Sequence, residues 1–289
     1  MTPRDILLAI AVAALWGFAF VPIRLGVGEM PPLVLTALRF FFSALPFAFF
    51  LKPPKAPAMI VIGFGAVLGI IKFGLLFTGM KLGMPAGLSS LIMQMQVFFT
   101  ILLAALIARE TPTRLQIIAI AVALGGVAII AFSNDRGAPL LPFLMVLLAS
   151  FFWGVANMLA RRAGGADMLA FVVWASLVPP LPLIALSLGF DGKEAVLRPL
   201  MHPTPLAAAC VAFLALGATI FCFSIWTRLL NRYPAAVVTP FALLVPIFGF
   251  FSGWLVLNEP LPMPVLIGTI FVLLGLAINV FGPRLLQRR

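Results

Sequence analysis

The residue in this chain that most needs a chemical explanation is a lysine set in an apolar run. Lys72 stands between Phe64 and Phe77 with no other charge in that stretch, and on a helix it shares a face with Gly65, Gly69 and Leu76. An ammonium deep in a bilayer costs at least about 2.5–3.5 kcal/mol, so it should face water, a carbonyl or an anion. The eight acidic residues all lie in loops or near the ends of apolar runs, and none is placed by the sequence to pair with Lys72. Snorkelling is the competing explanation, but the nearer end of the run is about two turns away, a long reach for a lysine stem. The task this leaves for Lys72 is to meet the carboxylate of a ligand. Arg39 is closer to the end of its own run, on a stripe with Thr36 and Ser43. It is expected to reach headgroups or helix ends and serve structure.

Aromatic faces and amides supply the rest of a possible site. Trp16 and Phe20 are one turn apart on one stripe, and Trp153 and Asn157 form the matching stripe further on, with Ser150 a turn before. Such rings could stack on an aromatic or apolar side chain; equally, a Trp beside Gly17 or Gly154 could simply pack crossing helices. A polar Asn157 on the same stripe has no reason to face lipid. Trp226, with Thr219 and Phe223 on its stripe, is a further candidate, whereas Trp174 reads as an anchor or packing residue. Gln94 and Gln96 sit beside Met93 and Met95. Two residues is about 200° of helix rotation, so at most one of the two amides can face a given cavity. The candidate substrate-binding set is therefore Trp16, Phe20, Lys72, Gln94, Gln96, Trp153, Asn157 and Trp226.

Other chemistries lack their residues. The one histidine, His202, is in a loop beside Pro203, so neither a metal-ligand cluster nor a Ser/His/Asp set is expected, and the chain is not expected to be an enzyme. Cys210 and Cys222 are about 18 Å apart along one helix, too far for a mutual disulfide. No P-loop or other nucleotide-binding segment is seen and no cofactor is called for. The net charge of +11 comes from basic residues placed singly or in pairs at run ends, which suits orientation and lipid headgroups rather than nucleic acid. The expected partners are a small-molecule substrate and membrane lipid, with a monomer favoured over an oligomer.

What must position these side chains follows from composition. Of 289 residues, 63% are hydrophobic and 9% charged, which excludes a water-soluble globular protein and fits helices solvated by lipid. Apolar runs between breakers predict ten spans, at about 5–25, 32–51, 57–80, 85–108, 113–132, 140–160, 168–188, 206–230, 234–257 and 262–281. Proline punctuates the joins at Pro31-Pro32, Pro53-Pro54, Pro112, Pro139 and Pro203 to Pro205. Inside the ninth span, Pro234, Pro240 and Pro246 each remove an intrahelical bond. The carbonyls these prolines free, or the amide oxygens of Asn157 and one of Gln94 and Gln96, could meet a ligand ammonium. The connections are too short to hold a folded domain, so any function must lie inside the bundle. On the side of the termini fall Arg4, Lys52, Lys55, Arg109, Arg114, Arg161, Arg162, Arg228, Arg232, Arg284, Arg288 and Arg289. They outnumber Arg24, Lys81, Arg136, Lys193 and Arg198 opposite, so both termini are expected in the cytoplasm.

The chain also repeats itself. Leu15-Trp16-Gly17-Phe18-Ala19 recurs as Phe152-Trp153-Gly154-Val155-Ala156, and Pro85-Ala86, Glu110 and Gly126 match Pro234-Ala235, Glu259 and Gly275 at one constant spacing. This divides the chain into residues 1–137 and 138–289, each with five spans. An odd number turns the second copy upside down, the inverted arrangement of many secondary transporters, with a site near midplane. If the copies face each other, Trp16 and Trp153 are expected to meet. Runs such as Gly249-x3-Gly253 are expected to form packing seams within the chain.

These residues resemble a known family. The two Trp-Gly helices, each opening a five-span repeat, and the Glu-Thr-Pro and Glu-Pro segments at 110–112 and 259–260 are similar to the drug/metabolite transporter superfamily. Within it they resemble EamA-type members, and the overall pattern is similar to bacterial aromatic-amino-acid exporters. The resemblance implies an all-α polytopic membrane protein of ten transmembrane helices in two inverted five-helix repeats. It also implies a central cavity lined by the first, third and fourth helices of each half, and export of small metabolites across the inner membrane. The function expected is thus secondary export of amino acids, aromatic or apolar, by alternating access. Relatives that carry phosphorylated sugars or nucleotide sugars are the nearest alternative, but phosphate should want several interior cations where this chain offers Lys72 and Arg39. A non-transporting scaffold would leave Lys72 and Asn157 without a task. A channel would need a charged ring or filter that is not present.

Overall fold

Prolines and charges end the apolar runs where expected, and helices fill the space between them. The computed structural model describes residues 1–107, 109–133, 137–164 and 167–286, with backbone alone at 235–236 and 283–286. Arg136, Arg288, Arg289 and the Arg284 side chain, all used above for orientation, lie outside the described residues. Among those described, every regular element is helical. Nine helices are long and apolar enough to cross a membrane: α1 (Pro3–Glu29), α3 (Ala58–Lys81), α4 (Ala86–Ile107), α5 (Arg114–Phe132), α6 (Leu140–Arg161), α7 (Met168–Phe190), α8 (Pro205–Arg232), α9 (Thr239–Leu257) and α10 (Met263–Leu286). A shorter apolar helix, α2 (Pro32–Ala48), falls in chain order between α1 and α3. The long connection before α8 carries an additional helix, Lys193–Met201, which the apolar pattern does not reveal because it is amphipathic and short. The outer surface is greasy: Phe132 is 89% and Phe50 86% exposed. Water would not tolerate so many exposed rings, and lipid does.

Several helices are irregular for identifiable reasons. α1 breaks after Phe18, four residues before Pro22, whose missing N–H leaves the Phe18 carbonyl without its helical donor. α7 breaks before the Pro179-Pro180 pair. More consequential are widened, π-helical stretches in α3 (Gly65–Lys72) and α8 (Phe213–Phe221). α4 and α9 likewise share a tightened turn, at Met93–Met95 and Thr239–Leu243. Sequence periodicity assumes 3.6 residues per turn throughout and is blind to such changes of pitch, which recur at functional sites.

Packing interleaves the two halves of the chain. α1 lies on α8 and α9, α6 lies on α3 and α4, and α2 contacts α3, α7 and α8. α5 and α10 run against each other along most of their length. A Cβ added at Gly126 of α5 would stand 2.6 Å from the Gly268 carbonyl oxygen of α10, so only glycine permits this approach. The Gly249-x3-Gly253 run packs within the chain as expected, Gly249 against Ser90 and Gly253 against Glu259.

Candidate functional site

The interior cations meet on one aromatic ring. Lys72 closes the π-helical stretch of α3 and is 4% exposed. Its Nζ lies 3.2 Å from the centroid of the Phe73 ring and 4.5 Å from that of Trp153 on α6. Arg39, from α2, is 7% exposed and places its Cζ 4.1 Å from the same Phe73 ring. Its Nη2 donates to Thr219 Oγ1 of α8 at 3.3 Å. Cation–π contacts of this kind gain strength when desolvated. They do not neutralise the charges, and among the described residues no carboxylate forms an ion pair with either. Arg39 Nε is buried with no hydrogen-bond partner.

The expectation that Arg39 reaches outward is thus corrected. Its stripe is buried throughout, Thr36 and Ser43 included, and Ser43 Oγ bonds the Arg39 carbonyl at 2.8 Å. Guanidinium, with its delocalised charge and weak hydration, is better suited than ammonium to such a place. The signal available in the sequence was the polarity of the whole stripe, which has no use facing lipid.

Amides continue the site from α6 to α4. Asn157 Nδ2 donates to Gln96 Oε1 at 2.5 Å and to Thr100 Oγ1 at 3.0 Å. Because Trp153 and Asn157 are one turn apart, α6 connects the cations to this amide pair. Gln94 points the other way, its Nε2 donating to the Ala242 carbonyl of α9 at 3.3 Å. Pro246, four residues after Ala242, cannot supply the helical N–H to that carbonyl, and the Gln94 amide takes its place. The two glutamines therefore serve different helices, as their spacing requires.

The two Trp-Gly stripes do not face each other. Trp16 packs against Trp226 with the rings tilted and their centroids 5.2 Å apart and meets Phe223 edge-on at 5.6 Å, while its indole N–H donates to the Ala218 carbonyl at 2.9 Å. Trp153 meets Lys72 instead. The interleaving explains both outcomes, since the first helix of each half packs on the third and fourth of the other. Phe20 is buried in the same core as Trp16 and makes no ring pair with it. Ala218 and Thr219 are adjacent, so a continuous belt runs from Trp16 through α8 to Arg39, Phe73, Lys72, Trp153, Asn157 and Gln96. Trp226 flanks one end, and Gln94 lies off the belt on the α9 side. Phe73 and Thr219 are members that spacing alone did not single out as site residues.

Two glutamates occupy equivalent turns and are bound differently. Glu259 follows Asn258, which has φ 52°, and Glu110 follows Arg109, which has φ 54°. The backbone N–H of Glu259 bonds the Gly253 carbonyl and that of Glu110 the Ala104 carbonyl. The Glu259 carboxylate accepts from the first backbone N–H groups of α4, Ala86 at 2.6 Å and Gly87 at 3.0 Å. A Cβ at residue 253 would collide with it at 2.5 Å. Glu110 instead pairs with Arg161 at the end of α6, at 2.6 Å.

Comparison with known proteins places this geometry. The model of the EamA-like transporter family matches twice, over residues 4–132 and 140–281. A protein of Salmonella typhimurium described as a "probable amino-acid metabolite efflux pump" is 37% identical, over 98% of this chain and 97% of its own. One of Escherichia coli with the same description is 36% identical over the same shares. A "probable terminal-alkyne amino-acid exporter" of Streptantibioticus cattleyicolor is 27% identical over 95% of this chain and 90% of its own. A crystal structure 18% identical in sequence superposes with a TM-score of 0.62 over 99% of both chains, a likeness of fold.

Proposed function

Since the chain belongs to the EamA-like transporter family, a family of membrane transporters and not of enzymes, we propose that it exports amino-acid metabolites with aromatic or apolar side chains across the bacterial inner membrane. The observation that carries this reading is Lys72, buried between the Phe73 and Trp153 rings without an ion-pair partner among the described residues. In it the substrate carboxylate meets Lys72, and the side chain lies against the aromatic belt. Relatives described as amino-acid metabolite efflux pumps support the substrate class. Counterflow in proteoliposomes with labelled amino acids and their derivatives tests it. Exchange of carboxylate-bearing compounds is expected; movement of phosphorylated sugars alone would overturn the assignment.

The architecture in this reading is ten transmembrane helices in two inverted repeats, residues 1–137 and 138–289, working by alternating access. Support comes from the paired irregularities, widened in α3 and α8 and tightened in α4 and α9. The two glutamates support it too: one carboxylate clamps the start of α4, and its equivalent is held by Arg161. Two ends of one bundle in different states are what alternation between inward and outward opening requires. The charge asymmetry favours cytoplasmic termini. Arg24 and Lys81, on the other side, are tied to the Met80 and Val27 carbonyls. Cysteines placed at Lys193 should therefore react with impermeant reagents from outside the cell, and ones at Lys55 or Arg162 should not. Equal labelling of all three would end the orientation argument.

The aromatic residues have separable tasks. Trp153→Ala is expected to reduce preference for aromatic over small substrates by a stacking energy of about 0.5–1.5 kcal/mol. Trp16→Ala should act less on that preference, because the Trp16 ring packs against Trp226 rather than beside Lys72. An unchanged substrate order in Trp153→Ala, measured by competition in the same vesicles, would mean that the ring only packs helices.

A further inference from the structure

Two interior cations on one ring imply more than one carboxylate contact. We infer that the site is built for a net anion, so that the exported metabolite carries its amino group masked, as in an N-acylated apolar amino acid. This rests on the proposal that a substrate carboxylate is read at Lys72, and it concerns what else that substrate carries. The two ring distances put the charges of Arg39 and Lys72 no more than about 7.3 Å apart, in a buried place where salt screens them little. Each is a charged donor of the kind that binds a carboxylate oxygen strongly. Arg39 Nε, buried and unpartnered, is a donor still waiting for an acceptor.

The acceptors along the belt each already hold a protein donor, which leaves at most one further lone pair apiece for an ammonium. Gln96 Oε1 and Thr100 Oγ1 are held by Asn157, and the Ala242 carbonyl by Gln94. Thr219 Oγ1 accepts from Arg39 and donates to the Leu214 carbonyl at 2.9 Å. A zwitterion would bring a third positive group into a place with two positive charges, and like charges in a poorly hydrated site repel strongly. An N-acyl derivative keeps the carboxylate and replaces the ammonium by a neutral amide. Such an anion also leaves a cell of negative interior potential down that potential, so its outward flux needs no coupling ion.

The test uses the full chain in proteoliposomes, with phenylalanine, N-acetylphenylalanine, phenylalanine amide and glucose 6-phosphate as matched substrates. N-acetylphenylalanine is expected to exchange at least tenfold faster than phenylalanine, and the amide slowest. Its efflux should quicken when a potassium gradient with valinomycin makes the interior negative, because the moving species is a net anion. Arg39→Gln should bring the two rates within about twofold, and Arg39→Lys should keep the preference. If Arg39→Gln fails to insert, the wild-type ratio and its voltage response decide alone. Phenylalanine moving as fast as or faster than its N-acetyl form would overturn this inference and leave the exporter reading intact. Movement of the sugar phosphate alone would overturn both.

Discussion

Lys72→Gln is expected to weaken every carboxylate-bearing substrate by about 1.5–3 kcal/mol, roughly 10- to 150-fold in affinity, the usual worth of a hydrogen bond to a charged group. Glutamine is one chain atom shorter but keeps an unbranched stem with a polar end, so the π-helical stretch that ends at this residue has no reason to collapse. What is lost is the charge over the Phe73 and Trp153 rings, and with it the counter-ion of a desolvated carboxylate. Amides of the same side chain never had that partner. Their disadvantage against the parent acid should therefore shrink in the mutant, and this ratio separates loss of recognition from loss of protein. Counterflow affinities for acid and amide, measured side by side, provide the check. Normal transport with undiminished discrimination against amides would make the lysine structural and leave Arg39 as the residue to test next.

Glu259→Ala is expected to have the second largest effect, and on conformation rather than on affinity. Its carboxylate makes two charge-assisted bonds to the first N–H groups of α4, where the helix dipole adds to them. Water replaces part of this when the side chain goes, leaving a loss of about 2–3 kcal/mol, or roughly two orders of magnitude in the equilibrium between closed and open at that end. Leu88, the third residue of α4 and 2% exposed, reports the change. A cysteine there should become far more reactive towards impermeant thiol reagents added on the face that bears Glu259. Glu259→Gln, which keeps one acceptor and loses the charge, should fall between. Unaltered labelling in a variant that still transports would mean that the contact caps a helix and gates nothing. At the other end, release of Glu110 from Arg161 would be its counterpart, since the two glutamates follow the same left-handed turn.

Helix limits were legible in the sequence because local causes set them. The run expected at 113–132 is the helix Arg114–Phe132, opened by a capping box between Thr113 and Gln116. The run expected at 85–108 is the helix Ala86–Ile107, whose start Pro85 marks. Both results need only an apolar stretch long enough for lipid and a breaker at each end. Lys72 was equally legible, because a charge in such a stretch is conspicuous whatever surrounds it. So was the division of labour between Gln94 and Gln96, which follows from helix rotation alone.

Partners across space were not legible. The stripes of Trp16 and Trp153 could be drawn from spacing, yet the expectation that they meet assumed two halves lying face to face. Interleaving instead sends α1 to α8 and α6 to α3, so each indole finds a residue from the opposite half. Arg39 looked outward because its position along α2 allowed it to reach the helix end. The packing of α2 against α3 and α8 buries that face and offers Phe73 and Thr219 in exchange. Where a helix keeps 3.6 residues per turn, which side chains share a face is decided by bonds a few residues long, and the amino-acid order alone determines it. Which faces meet depends on the summed fit of ten helices, and on changes of pitch in α3 and α8 that no periodicity records. Only the tertiary structure brings the two cations to one ring.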